Sequence, residues 1–222
     1  MVVSLTLPCH KRLEDLLVTL PILEEAARVS PPVEIILVDY ANPEPLPVET
    51  AGDIYVVRYT GRDHYHMAHA RNVGIQAATG DVVVITSSDI HLTAEFIDIV
   101  RRGFEDNPKA GWLRPDTFEF VGVVAVRRDE LVAAGGYDER FEFYGGEDRE
   151  LHERLERRGV PWASYPADGL IEMARTPNAV KVRGYRLPLT KTDMLERGSA
   201  IRLGNQATGL LVANDGQEWG AL

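Results

Sequence analysis

Residues 67–89 read MAHARNVGIQAATGDVVVITSSD, and this stretch decides the fold class. Its first part has the composition of a helix over Met67–Thr79, which Gly80 is expected to end as a C-cap. Asp81–Ile85 follows as a short apolar run, typical of a strand that is buried on both faces of a sheet. Polar residues come directly after it, at Ser87–Asp89. Helices that alternate with such buried strands indicate an α/β protein with a mostly parallel sheet.

The same alternation extends in both directions from this stretch. Leucines at helical spacing begin at Leu13, and Pro21 inside that pattern should kink or restart the helix. A further helix is predicted over Thr93–Phe104. The other strands predicted in the first half of the chain are Val2–Leu7, Val33–Val38 and Ile54–Tyr59.

The second half of the sequence has a different character. Phe118–Arg127 should add strands, and a charged helix over Glu147–Arg158 should end at Gly159. From about Thr176 the periodicity is weak, so we expect a partly ordered C-terminal extension over 176–222. We therefore expect one main domain over 1–175, with a first half at 1–92 and a second half at 93–175.

Composition narrows the class of protein. The chain has 222 residues, 45% of them hydrophobic, which is enough for a sizeable core. Its net charge of −10 argues against a broad basic face for nucleic acid, so a nucleic-acid partner is disfavoured. One cysteine, Cys9, excludes an internal disulfide and fits a reducing compartment.

The sequence has no apolar run long enough for a transmembrane helix. The N-terminus reads MVVSLTLPCHKRL, which is typical of a strand and not of a signal peptide. These features lead us to expect a cytoplasmic protein without a membrane span.

Two acidic segments are candidates for chemistry. In the first, Asp89 and His91 are two residues apart, so on an extended chain they would point the same way and could bind one cation. The alternative is that both cap the helix near Thr93. In the second, Gly145 and Gly146 precede Glu147 and Asp148 at a helix start. Asp148 shares a face with Leu151 and Leu155, so it should point inward and could act as a general base.

The non-functional alternative for Glu147 and Asp148 is that they only complement the helix dipole.

Two further residues have both a functional and a structural interpretation. Arg71 could reach a phosphate, or it could be an exposed helical residue in a salt bridge. Asp39 follows a buried strand and could accept hydrogen bonds from a base or ribose, or it could simply form a turn before Asn42-Pro43.

Several enzyme classes lack their signature motifs in this sequence. There is no G-x-x-x-x-G-K-[ST] loop, no G-x-G-x-x-G after the first strand and no G-x-S-x-G elbow. A P-loop kinase, a dinucleotide-dependent oxidoreductase and an α/β-hydrolase are therefore disfavoured. Cys9 beside His10 could suggest a thiol nucleophile, but nothing else in the sequence supports it.

Taken in order, four segments over roughly residues 2–160 resemble a glycosyltransferase of the GT-A fold. VSLTLPCHKR (3–12), IILVDY (35–40) and the A-R-N-x-G stretch within 68–89 resemble family-2 glycosyltransferases. GGYDERFEFYGGEDRELHERL (135–155) resembles the segment with a W-G-G-E-(D/N) turn in galactosyltransferases and polypeptide N-acetylgalactosaminyltransferases. The resemblance implies transfer of a sugar from a nucleotide-sugar, usually a UDP-sugar, to an acceptor hydroxyl, assisted by Mn²⁺ or Mg²⁺.

The resemblance also implies roles for individual residues. Asp148 would be the base of an inverting displacement, with Glu147 helping to bind the acceptor. Asp89 would hold the metal and Asp39 the base of the nucleotide. The remaining donor-site residues would be Pro8, His10, Arg12, Arg71 beside the diphosphate, and Ser88. The acceptor site would include Tyr144, which stands where the family has Trp, with Gly145 and Gly146.

Two positions depart from the family pattern and bear on the metal. The usual D-x-D falls on Ser87-x-Asp89, or, in a shifted alignment, on Asp89-x-His91, which would make His91 a second ligand. Downstream of the charged helix the galactosyltransferases have a metal-binding His, whereas this chain reads MARTP at 173–177. A silent nucleotide-sugar-binding module and a nucleotidyltransferase are the rival interpretations. The sequence does not identify the acceptor or the oligomeric state. The acceptor site should be shaped by the loops at Gly61–His66 and Trp112–Glu119 and by the C-terminal extension.

Overall fold

A computed structural model describes residues 1–117, 120–167, 170–172 and 184–222, with 170–172 described as backbone only. Phe118, Glu119 and the MARTP segment therefore lie outside the described residues. Nine strands are described, at β1 Val3–Cys9, β2 Val33–Tyr40, β3 Ile54–Tyr59, β4 Val82–Ile85, β5 Ile90–Leu92, β6 Trp112–Pro115, β7 Val124–Arg127, β8 Trp162–Tyr165 and β9 Leu170–Glu172.

The helices of the described ranges are divided evenly between the two halves of the chain, three in each. They are α1 Leu13–Val29, α2 Met67–Ala77, α3 Phe96–Asp106, α4 Arg128–Ala133, α5 Glu147–Arg157 and α6 Lys191–Thr208. None of them is both long and apolar enough to cross a membrane.

Seven strands form the central sheet, in the order β3-β2-β1-β4-β7-β6-β8. The pairs β1–β2, β2–β3, β1–β4 and β6–β8 are parallel, and only β7 runs against its neighbours β4 and β6. A short antiparallel pair of β5 and β9 stands beside this sheet. The prediction of an α/β fold with a mostly parallel sheet is therefore confirmed.

The sheet is buried on both faces because its strands alternate between two apolar layers. In β2, Ile35 and Leu37 belong to the apolar layer that includes α1 and α3, whereas Ile36 and Val38 belong to the layer that includes α2, α4 and α5. The continuous apolar runs of β2 and β4 are the sequence signature of this three-layer arrangement.

Some predicted element boundaries were wrong. Helix α1 runs unbroken through Pro21. Helix α2 ends at Ala77 with Ala78 as its C-cap, so Gly80 is not the cap. Gly80 instead lies against β1, where a β-carbon would be 2.6 Å from the Ser4 Oγ and 2.9 Å from the Val2 carbonyl oxygen. Gly159, in contrast, follows the end of α5 with a φ of +75°, as expected of a terminating glycine.

The topology brings two polar segments together. Strands β1 and β4 are parallel neighbours, with Thr6 paired to Ile85. The residues that follow their carboxyl ends, at 10–12 and 87–89, therefore meet at one edge of the sheet. This is the edge at which open α/β sheets bind ligands.

Candidate functional site

A cleft of about 540 Å³ opens at this edge of the sheet. Six of the residues expected at the donor line it, and one of them, Arg71, lies beside Asp148. The other five form the first wall of the cleft: Pro8, His10, Arg12, Ser88 and Asp89. Its second wall contains the five that were predicted for catalysis and the acceptor: Tyr144, Gly145, Gly146, Glu147 and Asp148. Asp89 and Asp148, which are 59 residues apart in the chain, thus line one cleft.

Asp89 lies in a tight turn on the first wall. The Ile90 amide donates to the Ser87 carbonyl at 3.1 Å and closes the turn. The Ser87 hydroxyl donates to Asp89 Oδ1 at 2.5 Å, and Arg12 Nη1 lies 3.4 Å from Oδ2. The carboxylate side chain keeps 22% of its surface exposed, so it is oriented by the protein yet open to the cleft.

The premise that Asp89 and His91 lie on one extended segment is wrong, because the chain at Asp89 is a turn and not a strand. The extended segment β5 begins only at Ile90, and Ile90 lines the cleft while His91 lies outside its lining. Capping of the next helix is also wrong for both, since α3 begins at Phe96 with Glu95 as its N-cap.

Asp39 is at the end of β2, beside the cleft but outside its lining. Its Oδ1 accepts from Asn42 Nδ2 at 2.7 Å, and its Oδ2 accepts from the Leu46 amide at 3.2 Å. Arg58 Nη1 is 3.7 Å from Oδ2. These bonds match the turn-forming alternative, and only 1% of Asp39 is exposed.

The second wall is a glycine turn that leads into α5. Gly145 and Gly146 have φ values of +92° and +99°, which residues with a β-carbon rarely adopt. The turn carries Glu147 and Asp148 into the first turn of the helix, where the helix dipole favours negative charge. Glu147 is 4% exposed and the Asp148 side chain 17%, so both carboxyls are largely withdrawn from water.

Arg71 joins these carboxyls from α2. Its Nη1 donates to Asp148 Oδ1 at 2.5 Å and to Glu147 Oε1 at 3.3 Å, and its guanidinium carbon lies 4.9 Å from the centre of the Tyr137 ring. Burial alone would lower the pKa of Arg71, but Asp148, Tyr137 and Glu147 together raise it well above the usual value. The resemblance implied that Arg71 lies beside the diphosphate or on the Asp39 side of the nucleotide pocket, and the alternative was an exposed residue in a salt bridge. The structure places Arg71 buried and paired with Glu147 and Asp148.

The two carboxyls differ in their partners. Asp148 Oδ1 also accepts from the Tyr137 hydroxyl at 3.1 Å. Glu147 Oε2 is buried and has no hydrogen-bond partner among the described residues. Burial and the charge of Asp148 raise the pKa of Glu147 to about 7, against the lowering effect of Arg71. The site thus has one strongly paired carboxylate beside one that takes up a proton easily.

Cys9 is fully buried, and burial raises the pKa of its thiol to about 11. A protonated, enclosed thiol is a poor nucleophile, so the structure gives no support to cysteine chemistry.

Several cleft residues were not singled out individually from the sequence. Tyr65 comes from the 61–66 loop that was expected to shape the acceptor site, and its ring stacks on His10 at 5.3 Å between centroids. Tyr185, Lys191 and Leu195 come from the C-terminal extension. Their only sequence signal was membership of these segments, because nothing in a single sequence places a C-terminal helix over a distant turn.

Comparisons with known proteins agree with this architecture. The family described as the N-terminal domain of galactosyltransferase matches residues 104–178, which include Gly145–Asp148. No curated protein matches the chain.

Among solved structures, the chain is similar to a mannosyltransferase from Pyrobaculum calidifontis in complex with GDP-Man and Mn²⁺. The identity is 18%, the TM-score is 0.64, and the match covers 93% of this chain and 73% of that one. It is also similar to a mutant of Drosophila β-1,4-galactosyltransferase 7 in complex with manganese, UDP-Gal and xylobiose. Here the identity is 16%, the TM-score is 0.57, and the coverage is 87% and 78%.

A third similar structure is S. aureus TarS in complex with UDP-GlcNAc, with 12% identity, a TM-score of 0.67, and coverage of 96% of this chain and 68% of that chain. At these identities the likeness concerns the fold. The chain has the mixed α/β architecture of the GT-A glycosyltransferases.

Proposed function

We propose that this protein is an inverting glycosyltransferase that moves a sugar from a UDP-sugar to a hydroxyl group of an acceptor. The observation that carries the proposal is the single cleft that has Asp89 on one wall and Asp148 on the other. Supporting it, the similar structures hold UDP- or GDP-sugars in this fold.

The first wall suits the charged half of the donor. Arg12 and Asp89 both face the cleft, so a diphosphate there would meet a guanidinium and a carboxylate. Divalent cations bind nucleotides through one or two protein carboxylates together with phosphate oxygens, so Asp89 alone fits a metal of this kind. Bound there, Mn²⁺ or Mg²⁺ would offset charge on the departing diphosphate. Asp89, held by Ser87, would be its protein ligand.

The second wall suits proton removal from the acceptor. Both hydrogen bonds to Asp148 go to Oδ1, so we assign the acceptor proton to Oδ2. Gly122 faces this oxygen: a β-carbon there would lie 3.1 Å from Oδ2, and the absence of a side chain leaves room for a hydroxyl. The deprotonated acceptor oxygen then attacks the anomeric carbon from the side opposite the diphosphate. The bond to the diphosphate breaks, and the configuration of the anomeric carbon is inverted.

Arg71 and Tyr137 act as positioning residues in this scheme, because both bind the oxygen that does not take the proton. Glu147, one residue earlier, has an oxygen that is unpaired among the described residues, and we assign it to accept from a second acceptor hydroxyl. Tyr144 lines the same wall, and we assign its ring to contact with the acceptor sugar.

The test measures turnover of Asp148→Asn with a panel of UDP- and GDP-sugars and Mn²⁺. The readout is the amount of nucleoside diphosphate released. General-base assistance is worth about 10²–10⁴-fold, so we expect a loss of that size while donor binding survives. Asp129→Asn is the matched control, because Asp129 also lies in the first turn of a helix but outside the cleft. Full turnover by Asp148→Asn would refute the assignment of the base. Binding of donors by the wild type without turnover would favour a silent binding module.

A further inference from the structure

A second cleft adjoins the first and takes no part in the scheme above. Its volume is about 620 Å³, within the usual range for small-molecule sites. It lies between α5 and the strands β6 and β8, of which β8 is an edge of the central sheet. The two clefts share Val121 and Arg149 in their lining, and Arg149 is the residue after Asp148. Asp89, on the donor side of the first cleft, does not line the second cleft. The second cleft therefore continues the first on its acceptor side, next to Asp148.

An aromatic surface forms one side of the second cleft. Trp162 on β8 is 42% exposed, although it is a large apolar side chain. The guanidinium carbon of Arg114 lies 3.7 Å from the centre of its ring, and Trp112 packs 5.8 Å away between centroids. These contacts fix the plane of the Trp162 ring at the cleft, with Arg114 over one of its faces. A pyranose has an apolar face of C–H bonds, which such a surface can cover.

The second cleft is lined by charged groups of both signs. Glu153 accepts from Arg149 Nε at 3.0 Å and from Arg202 Nη1 at 2.8 Å. Asp116 and Glu156 are further carboxylates in the lining, and Arg114 is a further guanidinium. A lining of mixed charge offers hydrogen-bond donors and acceptors without favouring ligands of one sign, which suits a neutral polyhydroxylated ligand.

His152 adds a buried polar group to this lining. It is 5% exposed, its ring packs on Trp112 at 4.8 Å, and its Nε2 has no hydrogen-bond partner in the part of the chain that the structure describes. Burial lowers the pKa of His152 to about 4, so the imidazole is neutral at neutral pH. A neutral imidazole can donate or accept, as bonding to hydroxyl groups requires.

We propose that the second cleft binds the sugar units of an oligosaccharide acceptor that lie beyond the reacting hydroxyl. This rests on the proposed function, because it is Asp148 that fixes where the reacting hydroxyl lies. The acceptor is then a neutral glycan that runs from Asp148 past Arg149 to Trp162, and not a single sugar or a small metabolite.

The test measures binding of short neutral oligosaccharides, and of the monosaccharides from which they are built, to the wild-type protein and to Trp162→Ala. We expect at least one oligosaccharide to bind more tightly than its monosaccharide, and Trp162→Ala to weaken that oligosaccharide by about tenfold or more. Tyr55→Ala is the control. Tyr55 is 47% exposed on β3, the opposite edge strand of the same sheet. Glu156→Ala, a change at an exposed helix position, provides a second variant should Trp162→Ala fail to fold.

Asp148→Asn separates this inference from the proposed function. It should abolish turnover yet keep the preference for the oligosaccharide, because the second cleft is intact. A wild-type protein that binds the oligosaccharide through Trp162 but transfers no sugar would contradict only the proposed function. The inference is overturned if no neutral oligosaccharide binds more tightly than its monosaccharide, if the cleft variants keep the wild-type preference, or if only anionic saccharides or peptides bind.

Discussion

At the scale of single residues, the chemistry of the second wall depends on two neighbouring carboxyls in different states. Asp148 is bound by Arg71 and Tyr137, whereas Glu147 has one oxygen without a partner among the described residues. Burial raises the pKa of Glu147 to about 7, so the folded protein holds a proton there that the unfolded chain releases near its ordinary pKa.

This difference makes stability depend on pH. The contribution of protonated Glu147 is fully present below the unfolded pKa of about 4.3 and is lost as the pH rises through 7. Glu147→Gln removes this loss. The difference in the free energy of unfolding, variant minus wild type, should therefore be about 1–3 kcal/mol larger at pH 8 than at pH 4.5. Urea unfolding at both pH values measures it, and effects of the buried histidines cancel because both proteins have them. Glu105→Gln, at an exposed position of α3, should show no such rise; an equal rise in the two variants would refute the assignment.

The residue types of the site could be predicted from the sequence, but their pairings could not. Asp89 and Asp148 were found because one follows a buried strand and the other opens a helix. The contact between Arg71 and Asp148 joins positions 77 residues apart and depends on the packing of two helices. His91 was misplaced because a turn at Asp89 breaks the alternation of side chains on which the expectation depended.

At the scale of elements, helix α6 supports the glycine turn of the second wall. Gly198 on α6 lies so close to that turn that a β-carbon would be 2.5 Å from the Gly145 carbonyl oxygen. Gly204, on the same helix, has open space around the corresponding position. The two glycines therefore form a matched pair within one element.

Gly204→Ala should stabilise the protein by about 0.5–1 kcal/mol, because alanine favours a helix interior over glycine. Gly198→Ala gains the same propensity but clashes with the turn, so a net destabilisation of about 1–3 kcal/mol and lower turnover are expected. Thermal unfolding and turnover of both variants provide the measurement. Equal stabilisation by the two substitutions would show that α6 does not hold the turn.

Elements with a strong apolar pattern could be predicted, including β3 at one edge of the sheet, whereas elements with a weak pattern could not. Strands β2 and β4 have nearly continuous apolar runs, and in β1 apolar residues alternate with Ser4 and Thr6. Helix α6 was not predicted, because its 18 residues show little hydrophobic periodicity: only Met194, Gly198 and Asn205 are buried. Strand β6 has four residues and was expected to be part of a loop.

At the scale of the whole molecule, Arg71 links the two halves of the chain. It lies on α2, which packs on the parallel part of the sheet, and it binds the carboxyls at the start of α5 in the second half. Because all three side chains are largely buried, loss of the guanidinium would leave two uncompensated carboxyls in the cleft wall.

Arg71→Met should therefore destabilise the protein by about 3–5 kcal/mol. Adding Asp148→Asn should recover part of this loss, with a coupling energy of about 0.5–3 kcal/mol in a double-mutant cycle. The exposed pair of Arg28 and Glu25 on α1, put through the same cycle, should show much weaker coupling. Additive effects of the Arg71 and Asp148 changes would mean that the ion pair does not join the halves in solution.

The most direct test of the shared cleft is a calorimetric titration of UDP-sugar with Mn²⁺ into the wild type, Asp89→Ala and Asp148→Asn. The account predicts that Asp89→Ala weakens donor binding by about tenfold or more, whereas Asp148→Asn binds the donor as the wild type does but releases almost no UDP. Unchanged heats for Asp89→Ala, or donor binding lost equally in both variants, would contradict the division of one cleft between a donor carboxylate and an acceptor carboxylate.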